Sequence, residues 1–116
     1  MANSRIVPNY RVDYIVDEPF IASTSTSTTK QYSVGKGLFL LLLRGNASSA
    51  STQPKFTVTD SSGVTAMQSG AVGGSVFLYK LVMVSGENLT FTVVGENLTS
   101  GGEYTAYNRV TILKLC

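Results

Sequence analysis

The sequence predicts an all-β protein: a single-domain antiparallel β-sandwich of the jelly-roll type, with about seven or eight strands spread over residues 1–116. Three observations predict it. Ser and Thr fill 27 of the 116 positions and Val another 13, a composition that favours extended backbone. No window of a dozen residues keeps apolar side chains at i, i+3, i+4 and i+7, so helix periodicity is missing. Short apolar or alternating runs recur instead, separated by Gly, Asn, Asp and Ser at turn spacing, which is the pattern of a sandwich or small barrel.

Taken in order, residues 11–16 alternate, with Val12, Tyr14 and Val16 on one face and Arg11 and Asp13 on the other. Asp17-Glu18-Pro19 is expected to end that strand. Residues 22–29 are Ser and Thr with no large core side chain, and fit a polar edge strand or an extended loop. Residues 37–43 form the most apolar element, closed by Arg44-Gly45-Asn46. Residues 55–60 alternate cleanly, with Phe56 and Val58 inward, and Asp60-Ser61-Ser62-Gly63 is a turn across which residues 64–67 pair back as a hairpin. Residues 70–74 are a glycine-rich break before a second long apolar strand at 75–84. Leu89, Phe91 and Val93 share one face of a strand at 88–94, and residues 104–115 supply the last strand. Gly86-Glu87-Asn88-Leu89-Thr90 recurs as Gly95-Glu96-Asn97-Leu98-Thr99, a nine-residue spacing too short for a solenoid unit. It reads as two similar turns at opposite ends of one strand.

Composition also narrows function. With no His there is no imidazole base, no His metal ligand and no His switch. Net charge is +2 with the basic residues scattered, so no electrostatic footprint for nucleic acid is present. The longest apolar run is far short of the roughly 18–20 residues that span a bilayer, and no membrane insertion is expected. The N-terminus has no apolar signal core, so synthesis in a cytoplasm without a signal peptide is expected. Asp17 and Glu18 diverge on an extended chain and cannot form a glycosidase pair. Residues 70–74 have no Lys-Ser/Thr after them and cradle no phosphate. The chain is therefore expected not to be an enzyme, and to hold no cofactor or metal.

Two strands carry the functional signal. A sandwich strand should show one apolar and one polar face, yet Leu38, Leu40 and Leu42 oppose Phe39, Leu41 and Leu43, and Val76, Leu78, Val82 and Val84 oppose Phe77, Tyr79, Leu81 and Met83. Both faces of both strands want burial, and a monomer would expose a contiguous apolar patch. Phe39, Leu41, Leu43, Phe77, Tyr79 and Leu81 are the expected oligomer interface. A weaker candidate is a ligand-binding loop at Tyr104, Tyr107 and Asn108, whose rings and amide suit a glycan or receptor. Cys116 has no partner thiol in the chain and is a candidate interchain disulfide. Residues 1–10 are a candidate docking arm.

The C-terminal third, Val84-Ser85-Gly86-Glu87-Asn88-Leu89-Thr90-Phe91-Thr92-Val93-Val94-Gly95 and then Tyr104-Thr105-Ala106-Tyr107-Asn108-Arg109-Val110-Thr111-Ile112-Leu113-Lys114-Leu115, resembles the end of small trimeric jelly-roll modules. These are the complement-head and tumour-necrosis-factor-like domains and the similar modules of bacteriophage capsids and tail fibres. The resemblance implies a homo-oligomer, with a trimer favoured. With no signal sequence, it also implies a viral, phage-type structural subunit found in the virion, acting as a capsid decoration or tail-fibre protein beside other virion proteins. The alternative is a tip domain that binds a host-surface glycan or receptor.

Overall fold

The computed structural model describes residues 13–20, 28–99 and 108–116. Among these residues eight strands run β1 (Asp13–Pro19), β2 (Thr28–Val34), β3 (Gly37–Asn46), β4 (Lys55–Asp60), β5 (Gly63–Ser69), β6 (Ser75–Val84), β7 (Leu89–Glu96) and β8 (Arg109–Lys114). They form two four-stranded antiparallel sheets, ordered β1-β8-β3-β6 and β2-β7-β4-β5.

The pairings are nested. β4 pairs with β5, β3 with β6, β2 with β7 and β1 with β8, as if one long hairpin had been folded at residues 60–63 and then rolled up. Rolling adds the β3–β8 and β4–β7 contacts and closes the jelly roll. The local chemistry of the central turn fits its place. Asp60 Oδ1 accepts from the Ser62 amide at 2.8 Å and the Ser62 hydroxyl at 2.6 Å, and Gly63 adopts φ 121°, a conformation open to glycine.

The core lies between the sheets. Phe39, Leu41, Leu43, Val110 and Ile112 from one sheet meet Phe56, Val58, Phe91 and Val93 from the other, with Phe20 edge-on to Phe56 at 5.6 Å. At the open side, Lys30 of β2 reaches across to Glu18 of β1 at 3.6 Å, an exposed pair of small energetic weight.

The structure departs from the sequence reading at β1. Tyr14 pairs with Leu113 and Val16 with Ile112, with a register shift between them. The extra residue puts Tyr14 on the outer face and Val16 on the inner one, although strict alternation places them together. The strand also continues through Asp17-Glu18-Pro19, because β1 is an edge strand and an edge tolerates a proline. The repeated pentapeptide does flank β7. Its two copies differ in surroundings, however. A Cβ on Gly86 would meet nothing, whereas one on Gly95 would lie 2.7 Å from the Phe20 ring.

Candidate interaction face

The functional candidate is the outer surface of the β1-β8-β3-β6 sheet, and the register lays it out in rows. Leu38 stands beside Met83. Next come Leu81, Leu40, Leu113 and Tyr14 in line across four strands, then Tyr79, Leu42, Thr111 and Asp17, then Phe77, Arg44, Arg109 and Pro19. Phe77, Tyr79, Leu81 and Met83 are 53%, 68%, 57% and 68% exposed. Tyr79 and Phe77 touch, with ring centroids 5.6 Å apart. No described residue covers this face.

The ionic corner of the face is internally paired. Asp17 Oδ1 accepts from Arg109 Nε at 2.7 Å and from the Thr111 hydroxyl at 3.1 Å, and the Asp17 carbonyl accepts from Arg109 Nη2 at 3.4 Å. Arg44 and Arg109 are direct cross-strand neighbours, an arrangement of like charges that Asp17 relieves. These groups and Tyr14, Leu42, Phe77 and Leu113 line a shallow groove of about 380 Å³. The hydrogen bond from Arg109 holds the Asp17 carboxyl below the usual carboxylate range, helped by Thr111 and by the charges of Arg109 and Arg44.

A pH dependence follows from that shift. A carboxylate whose folded pKa lies below its unfolded value adds stability above the unfolded value, and loses it as pH falls through the folded one. Asp17→Asn should therefore lower Tm at neutral pH, and the two melting curves should converge on acidification below about pH 4, near the unfolded value. The difference should shrink in high salt because the pair is exposed. Thermal melts of both proteins against pH and salt check this.

The opposite sheet presents a different outer surface. Thr29, Gln31, Ser33, Thr57, Thr59, Thr90 and Thr92 share it by register, with Val64, Met67 and Val94 among them. Ser33 and Thr90 hydroxyls lie 2.7 Å apart, and Gln31 Nε2 donates to Thr92 Oγ1 at 3.3 Å. That face is suited to water.

Three of the residues expected at an interface sit elsewhere. Phe39, Leu41 and Leu43 are buried between the sheets, the last of them completely. Antiparallel register explains the correction: Phe77, Tyr79 and Leu81 stand opposite Arg44, Leu42 and Leu40, so the even-numbered leucines of β3 face outward with them. Leu38, Leu40, Leu42, Met83, Leu113 and Tyr14 are thus the members of the face that the sequence reading left out of the interface. Arg44 carried the usable signal, since a charge closing the strand marks its own parity as the outer one.

Asn108 is likewise no ligand group. It is fully buried; its Oδ1 accepts from the Asn46 amide at 3.0 Å and its Nδ2 donates to the Thr99 carbonyl. Both ends of the amide are spent on backbone. Tyr104, Tyr107 and the candidate arm 1–10 lie outside the described residues. Cys116 is a free, exposed thiol whose carbonyl accepts from the Leu38 amide at 2.9 Å. Among the described residues no group of three His, Cys, Asp or Glu could hold a metal ion, and no helix is long and apolar enough to cross a membrane.

Fold and face together define a class: an eight-stranded jelly-roll sandwich with one hydroxyl-rich outer face and one apolar outer face. No family model, curated protein or solved structure matches the chain.

Proposed function

We propose that the chain is a non-enzymatic structural protein, a subunit of a viral particle of the phage capsid-decoration or tail-fibre kind, which works by oligomerising and attaching to its neighbours. The observation that carries this reading is the apolar outer face of the β1-β8-β3-β6 sheet. It holds four large apolar side chains of β6 that stand more than half exposed, beside the partly exposed leucines of β3 and β8. Contiguous surface of this kind marks association sites. Covering those four side chains contributes roughly 1 kcal/mol each before ordering costs, since full burial of such a side chain is worth about 1.5–3 kcal/mol.

Two further points support it. The other outer face is covered in hydroxyls, so one side of the sandwich is suited to solvent and one to a neighbour. The eight-stranded jelly roll is also a recurrent capsid architecture, an argument from fold analogy. The loop-ligand alternative loses Asn108 to the backbone, and its other two residues, Tyr104 and Tyr107, lie outside the described residues.

Quantitative mass spectrometry of gradient-purified particles tests the reading. A fixed copy number per particle, retained through a second gradient, is expected. Complete loss of the chain from washed particles would refute a virion role.

A further inference from the structure

Resting on the assembly reading, we propose that the occupant of the apolar face is a second copy of this chain, packed sheet face to sheet face about a two-fold axis perpendicular to the strands. The face has the size for it. Four strands about 4.8 Å apart and some six residues of shared length at about 3.3 Å each give a patch of roughly 20 by 20 Å. With side-chain relief, two such patches bury on the order of 1,200 Å², the lower bound of a standard stable interface.

The charge layout selects the orientation. Face-to-face packing requires the axis to lie in the plane between the sheets, and the interface is then isologous. If the axis ran along the strands, each row would lie over its own copy and each column over a different one. Arg44 would then face Arg109 of the other copy twice, drawing four guanidinium groups out of water into one enclosed place. Desolvating charges in this way is strongly unfavourable. With the axis across the strands the rows invert and the columns match. Phe77 then lies over Met83 of the other copy, Tyr79 over Leu81, and Leu42 over Leu40. Sulfur against an aromatic edge is a favourable contact, and Asp17 comes over Tyr14, whose hydroxyl can donate to the carboxylate. The Arg44 and Arg109 pair of one copy and that of the other then end at opposite rims, each near water.

The test uses the 116-residue chain with Cys116→Ser, which removes the free thiol. Phe77→Cys and Met83→Cys chains are mixed and treated with a short bismaleimide, because face-packed sheets stand about 10 Å apart, beyond the reach of a direct disulfide. A covalent dimer from the mixture, far exceeding that from either chain alone, is expected. Light scattering should give twice the 12.4 kDa chain mass at micromolar concentration. Cross-linking of Phe77→Cys to Pro19→Cys in place of Met83→Cys, or a trimer mass, overturns the arrangement. Leu81→Lys separates the two ideas. A monomer from this variant together with the wrong cross-link sinks only the arrangement, whereas an unchanged oligomer, or a wild-type monomer, sinks the assembly reading as well.

Discussion

Leu41→Lys is expected to abolish folding, while Leu42→Lys, one residue further along the same strand, is expected to fold and lose only self-association. Leu41 is 1% exposed and enclosed between the two sheets. Truncating a buried leucine alone costs about 2–5 kcal/mol, and an unpaired ammonium in the same place adds the cost of a buried charge. A domain of this length has a total stability on the order of 10 kcal/mol, so the substitution removes most of it. Leu42 stands on the other side of the pleat, in the row with Tyr79 and Thr111. A lysine there can carry its ammonium into water along its own aliphatic stem, so Tm should move by only a few degrees. Circular dichroism melts report the fold and light scattering the mass. Equal unfolding of both variants would mean that the outer face is covered within one chain.

That contrast also shows what could be read from the residues. The strands at 55–60 and 75–84 have the bounds that their composition implies, and the turn at 60–63 sits at the centre of the nested pairing. The face of β3 could not be settled by hydropathy, because a strand with leucine on both sides has no amphipathic signal. Register decides it, and register is a long-range property. The only charge on β6 points the wrong way as a guide: Lys80 has the inward parity of Val76 and Leu78, yet it is exposed because β6 is an edge strand. The bulge in β1 was illegible for a related reason. An inserted residue leaves no mark in a short run of Tyr, Ile and Val, all of which are good strand formers. Asn108 was misread because asparagine beside glycine and tyrosine has the composition of an exposed loop, while its partners are 62 and 9 residues away.

Asn108→Ala should be among the most damaging single changes in the protein. The side chain joins the end of β3, through the Asn46 amide, to the chain leaving β7, through the Thr99 carbonyl. Its own carbonyl accepts from the Phe20 amide at 2.8 Å, just beyond β1. β3 and β7 belong to different sheets, and this amide adds a buried link to the Ser48–Asn97, Thr99–Asn46 and Thr99–Ala47 hydrogen bonds that join the two layers at one end of the sandwich. The fit is close: a Cβ on Gly45 would come within 2.9 Å of Asn108 Oδ1. Alanine leaves a buried N–H without its acceptor and a carbonyl without its donor, at about 1–3 kcal/mol each, and a cavity besides. A fall in Tm on the order of 15 °C is expected. Asn108→Asp gives a sharper readout. The carboxylate keeps an acceptor for the Asn46 amide but turns an oxygen toward the Thr99 carbonyl, and burial raises its pKa. Its protonated form can donate to that carbonyl again, so the deficit relative to wild type should be largest at neutral pH and shrink as pH falls. A deficit independent of pH would mean that Asn108 acts by filling space and not through its hydrogen bonds.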